Sequence, residues 1–137
     1  MNELEAYFKG LADRTRLRLI NLLLQGERCG CDLQRLLGIT QPNVSRHLIY
    51  LKHVGLLLDR RDGFRVFYRL APMDQQPLKS LVSFLAAAFR DDPILRNDRR
   101  RLKQALRQGA CAVPSTPAAP DKYAALQKGK LVRLSSV

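Results

Sequence analysis

The stretch Leu33-Gln34-Arg35-Leu36-Leu37-Gly38-Ile39-Thr40-Gln41-Pro42-Asn43-Val44-Ser45-Arg46-His47-Leu48 encodes two short helices and the tight turn between them. Leu33, Leu36 and Leu37 recur at helical spacing, and Gly38 tolerates the left-handed conformation that closes a helix. Thr40 then suits an N-cap, and Pro42 falls in the first turn of the next helix, where its missing N–H costs nothing. Val44, Leu48 and Leu51 supply that helix with an inward stripe, and Gly55 ends it. Two short helices around a turn at Gly38-Ile39 form a helix-turn-helix. The outward residues of the second helix are Gln41, Asn43, Ser45, Arg46, His47 and Tyr50. Such groups hydrogen-bond base edges and phosphates, Arg favouring guanine and Asn or Gln adenine. With Thr40 at the helix start, whose free N–H groups can receive a phosphate, they make a candidate DNA-reading set. The competing reading of this segment alone is a small helical protein with a polar surface helix.

Upstream, Leu4, Tyr7, Phe8 and Leu11 predict a short helix ending near Gly10 or Leu11. Asp13 or Thr15 can cap a second helix, with Leu17, Ile20, Leu23 and Leu24 inward and Gln25-Gly26 as its stop. Downstream, residues 56–60 and 65–70 alternate like strands around Arg61-Asp62-Gly63, and Asp-Gly is a strong hairpin signal. Arg60, Arg61 and Arg65 at its tip suit a wing that touches the DNA backbone or minor groove. A long helix is expected from about Asp74 to Phe89, whose broad apolar stripe suits a partner chain. Leu78, Leu81, Val82, Leu85 and Phe89, joined by Leu4, Tyr7 and Phe8, are therefore the expected homodimer interface. The fold class is mainly α with a small β-hairpin wing, a homodimeric winged helix-turn-helix.

Asp91-Asp92-Pro93 ends or breaks the long helix, and a basic helical stretch follows to about Gln108. The expected organisation is a DNA-binding and dimerisation domain over 1–97, a basic helical extension over 98–108, and a flexible basic tail over 109–137. The net charge of +12 calls for an acidic partner, nucleic acid being the commonest. Residues 1–98 carry fifteen basic and eleven acidic side chains, whereas 99–137 carry nine basic ones against Asp121 alone. Most of the excess thus sits in the tail, which reads most simply as a solvated extension and does not by itself establish a DNA-binding domain. The longest apolar stretch, near Leu81 to Phe89, is too short to span a membrane. The acidic first residues lack a signal-peptide pattern. With an odd number of cysteines, reduced thiols in a cytoplasmic protein are expected, with no membrane partner.

Cys29-Gly30-Cys31 is the constellation with sensing chemistry, because thiolates bind soft, thiophilic ions far better than hard ones. Residues two apart on a regular helix diverge by roughly 200°. Either the pair lies just before the helix, where Gly30 eases the bend, or ion binding unwinds the helix start. Both routes strain the first helix of the DNA-reading pair. Cys111 is the candidate third thiolate, against a bystander role, and two small, partly buried core residues are the bland reading of Cys29 and Cys31. His47 reads as a DNA contact and His53 as a surface or wing-packing residue.

Four segments, Ala12 to Arg16, Glu27 to Leu33, Gln41 to Leu48 and Gly55 to Tyr68, together resemble the ArsR/SmtB family of metalloregulatory repressors, in particular its arsenical-resistance members. The likeness runs from residue 4 to about residue 95. It implies a winged-helix homodimer on double-stranded operator DNA, released when As(III) or Sb(III) binds cysteines as inducer, with no organic cofactor. The family pattern has a third cysteine where this chain has Gln34, so Cys111 completes the site or two thiolates suffice. Two thiolates would suit a methylated trivalent arsenical. The cadmium and lead sensors add N-terminal cysteines absent before Cys29, and the zinc sensors use histidines on the last long helix, where this chain has none.

Other readings make distinct predictions. A redox sensor would join Cys29 or Cys31 to another thiol; bridging neighbours two apart is strained, which favours Cys111 as partner. Another soft metal could replace arsenic. An architectural binder led by the basic tail would bind DNA almost regardless of sequence. An enzyme is the least supported class, since no nucleophile–base pair, phosphate loop or acidic metal cluster appears.

Overall fold

The computed structural model describes residues 2–110. Six helices surround a small sheet: α1 (Asn2–Leu11), α2 (Arg14–Leu23), α3 (Gly30–Leu37), α4 (Gln41–His53), α5 (Leu78–Phe89) and α6 (Pro93–Arg107), with strands β1 (Arg28–Cys29), β2 (Leu57–Asp62) and β3 (Arg65–Leu70). Asp13 caps α2 by accepting from the Arg16 backbone N–H at 3.0 Å. Gly38 closes α3 in the left-handed conformation, φ 66°, and the turn to α4 follows at once. Thr40 occupies the N-cap position of α4, but its side chain makes no capping hydrogen bond.

The sequence pattern gives α2 one inward stripe, yet Leu19, Ile20, Leu22, Leu23 and Leu24 are all essentially inaccessible. The second covering layer is α6, which packs on α2 and buries Leu95 and Leu102. Polar groups fix that contact. Asp98, 1% exposed, accepts from Arg18 Nε and Nη2 at 2.8 and 2.9 Å. Asn21 donates to the Leu95 carbonyl and accepts from Arg99, which also donates to the carbonyls of Phe89 and Arg90 at the end of α5. The boundary expected between residues 97 and 98 therefore falls inside a helix that belongs to the core. The charge run hid two side chains, Asp98 and Arg99, that serve packing.

Helix α5 starts at Leu78, four residues later than expected, because Pro77 cannot sit inside a helix and disfavours helical backbone at Gln76. Its apolar stripe is largely consumed within the chain: Leu81, Val82, Leu85 and Phe89 are buried, as is Tyr7 of α1, and Leu78 is half-buried. Of the residues expected to face a partner, Leu4 and Phe8 stay exposed, together with Phe84, which the periodicity left out. The stripe is broad because a long core flank has to be covered, and it does not by itself report a partner. No helix among the described residues is long and apolar enough to cross a membrane.

The hairpin is longer than read: β2 runs through Arg61 to Asp62, which pairs with Arg65, and the chain reverses over Gly63-Phe64 with Gly63 at φ 60°. The unforeseen strand is β1, whose two residues are too few to show alternation. It pairs with β3 as Arg28↔Tyr68 and Cys29↔Phe67, making β3 the centre of a three-stranded antiparallel sheet.

Replacing Asp98 with Ala leaves Arg18 without its bidentate partner at the α2–α6 contact and should cost about 2–4 kcal/mol. Urea unfolding of Asp98→Ala, Arg18→Ala and the double variant checks it; additive losses would mean that the two side chains act independently.

Candidate nucleic-acid interface and the cysteine pair beside it

Helix α4 turns Val44, Leu48 and Leu51 inward and leaves Gln41, Asn43 and Arg46 exposed. Arg46 Nη2 donates to Asn43 Oδ1 at 2.6 Å, so the two share one outward surface. Thr40 is exposed, Ser45 is half-buried, and Tyr50 is 37% exposed beneath the Arg16 guanidinium, 4.4 Å from the ring centroid. Arg16 ties three elements together: Nε and Nη2 donate to the carbonyls of Gly10 and Lys9, and Nη1 lies 3.3 Å from His47 Nδ1. The sequence reading passed over Arg16, which stands among Arg14 and Arg18 with nothing local to single it out.

His47 is drawn in, its side chain only 13% exposed and Nδ1 3.9 Å from Asp13. Burial pushes its imidazole below the ordinary value; Asp13 opposes this, while Arg16 and Arg46 reinforce it. Burial alone would raise the Asp13 carboxyl, but the backbone N–H groups of Arg16 and Thr15 and the nearby His47 and Arg16 charges hold it low. His47 thus has a packing role that its outward placement on a helical wheel did not reveal. His53 is exposed.

On the wing, Arg61 and Arg65 are exposed, but Arg60 is not at the tip. It lies over the Phe67 ring at 4.8 Å and donates twice to Glu27 Oε1, at 2.9 and 2.6 Å, bracing β2 against the segment that enters β1. The tip carries Phe64, fully exposed, which the sequence reading missed; an aromatic residue directly after a turn glycine was the signal.

Cys29 is 2% exposed, pairs with β3 and serves as the N-cap of α3, its Sγ accepting from the Cys31 N–H at 3.3 Å. Cys31, one turn-step into α3, is exposed. Because Cys29 is extended (φ −64°, ψ 142°), the divergence of residues two apart on a helix does not apply, and the Cα atoms are 5.3 Å apart. The two sulfurs meet as a disulfide, unlike the reduced pair expected, and they do so without Cys111, which lies outside the described residues. Asp32 is the donor that sequence reading omitted. Its carboxylate, buried and ion-paired with Arg35, lies with the two sulfurs inside a 4.8 Å cluster. Soft sulfur donors dominate this set, which fits a thiophilic ion better than a hard one.

A turn-linked helix pair followed by a basic hairpin defines a winged helix-turn-helix DNA-binding domain. Residues 13–57 match the family model described as bacterial regulatory protein, arsR family. The chain belongs to that family. It is 54% identical over 66 residues to the arsenical resistance operon repressor of Escherichia coli K12, a match covering 47% of this chain and 56% of that protein. It is 40% identical over 81 residues to a probable mercury resistance operon repressor of Streptomyces lividans, covering 59% of this chain and 65% of the relative. The chain spans about half the length of the arsenical-resistance repressors it matches. Among solved structures, the homodimeric winged helix-turn-helix domain of Mb0332 from Mycobacterium bovis, a possible ArsR-family regulator, superposes with TM-score 0.55 at 35% identity, covering 63% of this chain and 80% of that one.

The folded His47 holds a proton less tightly than the unfolded chain, whose imidazole titrates near 6.5. Protonation therefore favours unfolding, and stability should fall as pH drops below about 6.5 toward the folded value. Urea midpoints at about pH 7.5 and 5.5 check this: wild type should lose more than His47→Gln. Equal losses would remove His47 as the cause.

Proposed function

We propose that the chain is a homodimeric transcriptional repressor that binds double-stranded operator DNA and leaves it when As(III) or Sb(III) binds Cys29 and Cys31. The observation that carries this reading is the position of the pair: Cys29 is at once a residue of the wing sheet and the cap of α3. An ion that draws both sulfurs to itself cannot leave both attachments undisturbed, since the geometry of a pyramidal centre differs from that of a capping hydrogen bond. The disturbance reaches the wing through β3 and α4 through the turn at Gly38. Asp32, or Cys111, is the proposed third donor. The DNA contacts proposed are Thr40, Gln41, Asn43, Ser45, Arg46 and Tyr50 from α4, with Arg61 and Arg65 from the wing. His47 and Arg60 act by positioning that surface. Leu4 and Phe8, with Phe84, are the exposed apolar groups of α1 and α5 proposed to meet a second protomer.

One observation favours a second reading. The disulfide itself makes the same pair a redox element, in which oxidation of two thiols to a disulfide changes the start of α3. An S–S link and a bound arsenic are mutually exclusive, so the two inputs are separable.

Fluorescence anisotropy on operator DNA under reducing conditions tests both. Cys29→Ser and Cys31→Ser should bind the operator as wild type does, yet need at least about tenfold more arsenite for release. Release by peroxide with no response to arsenite would replace the arsenic reading with the redox one. Arg46→Ala should weaken operator binding by about 1–3 kcal/mol and narrow the gap to random DNA; a uniform loss on both DNAs would make Arg46 a phosphate contact only.

A further inference from the structure

A helix seated in the major groove of a duplex and a hairpin seated in the neighbouring minor groove have one sugar–phosphate strand between them. Between α4 and the wing of this protein lies a half-open cleft of about 250 Å³. Leu48 and Tyr68 give it buried, largely apolar surface. Gln41 and Arg65, both exposed, and Ser45, half-buried, bring donors to it from α4 on one side and β3 on the other. Arg65 forms no ion pair among the described residues, whereas Arg60 on the adjoining strand is held by Glu27. Gln41 is the first residue of α4, a helix start that no side chain caps, so its first N–H groups keep their capacity for an anion. Amide, hydroxyl, guanidinium and helix-start donors above apolar surface match a phosphodiester and the carbon face of its sugars. The third wall is the start of α3. Cys31 lines the cleft and is exposed, whereas Cys29 is 2% exposed.

We propose that this cleft seats a sugar–phosphate strand of bound DNA with Cys31 as part of its wall, so that DNA and any group carried on Cys31 compete for one space. The proposal rests on the reading that α4 and the wing bind duplex DNA. It adds a direct route to release beside the mechanical one: a group on the Cys31 sulfur excludes a phosphate without any movement of α3. Occlusion and strain differ in sign at this residue. Cys31 is the second residue of α3, where a negative charge favours the helix because it faces the positive end of the dipole. A carboxylate at position 31 therefore strengthens the start of α3. The same carboxylate repels a phosphate seated in the cleft. If DNA were lost only through disturbance of α3, that charge would help binding or leave it unchanged; if the strand lies against Cys31, it must weaken binding.

The test uses the full chain, reduced with a phosphine that is removed before labelling. Brief iodoacetamide pulses with and without operator DNA, read by peptide mass spectrometry, give the alkylation rate of Cys31 separately from the other two cysteines. With operator about a hundredfold above its dissociation constant, the Cys31 rate should fall at least about tenfold, and salt that dissociates the complex should restore it. Operator affinities of Cys31→Asp and Cys31→Asn then isolate the charge, since the two side chains have the same shape. Cys31→Asp should bind at least about fivefold more weakly, the effect of one unit charge roughly 4 Å from a phosphate in water, while its urea midpoint equals or exceeds that of Cys31→Asn. Asn97→Asp, the same charge step on the exposed face of α6, should change affinity by less than about twofold at physiological salt. Neutral methylphosphonates placed singly along the operator should reveal one position per half-site where the gap between Cys31→Asp and Cys31→Asn closes, and there Arg65→Gln should cost no further affinity. Full alkylation of Cys31 within the complex, equal or tighter binding by Cys31→Asp, or a gap that no methylphosphonate closes overturns the cleft assignment while DNA binding stands. Failure of the reduced wild type to bind operator DNA at all overturns the underlying reading and this one with it.

Discussion

Everything in this domain is placed by the burial of α2. Its C-terminal half, Leu19 to Leu23, is buried all round and must be covered on all sides, and α1, α3, α4, α6 and β3 are the covers. The apolar surface removed from water there is the principal source of stability, at about 25 cal/mol per Å². Hydrophobic contact alone would let α6 slide along α2. The Arg18–Asp98 pair and the Asn21–Arg99 bonds fix its register, because a buried carboxylate or amide left without its partner is costly. The same Arg99 closes the end of α5, so one side chain sets the path of the last two helices.

Helix α4, the proposed DNA-reading helix, is held to α1 and α2 by a polar knot. Arg16 gathers the end of α1, the His47 ring and the Tyr50 face, and Asp13 completes it. On the proposed reading the consequence for function is orientation: the knot sets how α4 presents Asn43 and Arg46. Arg60 does the equivalent for the wing through Glu27 and Phe67. A basic residue near a DNA-binding surface therefore serves either to touch the partner or to aim the residues that do, and burial with a fixed acceptor separates the two cases.

The cysteine pair gains its meaning from β1. Two residues of strand suffice to attach the start of α3 to the middle of the sheet, so Cys29 sits on the seam between the helix pair and the wing. On the proposed reading, a sensing group at such a seam needs no long path to α4 and the wing, because it is already part of what joins them.

Much of this was legible in the chain. Gly38, Thr40 and Pro42 mark the turn and helix start by local backbone preferences that no tertiary contact has to supply, and Asp62-Gly63 does the same for the hairpin. The 3.6-residue recurrence of leucines located the helices because each must bury one face, and Cys29-Gly30-Cys31 announced thiol chemistry by residue type alone. What periodicity could not decide was the partner of each face. The α5 stripe meets its own core, α6 spends Asp98 and Arg99 on packing, and Arg60 and His47 turn inward toward carboxylates 33 and 34 residues away in the chain, Glu27 and Asp13. Nor could it show β1, whose hydrogen-bonding register exists only once residues 28 and 67–68 are adjacent. Local preference is written residue by residue, whereas burial, pairing and the convergence of two sulfurs depend on which distant segment arrives alongside, and the tertiary structure alone decides that.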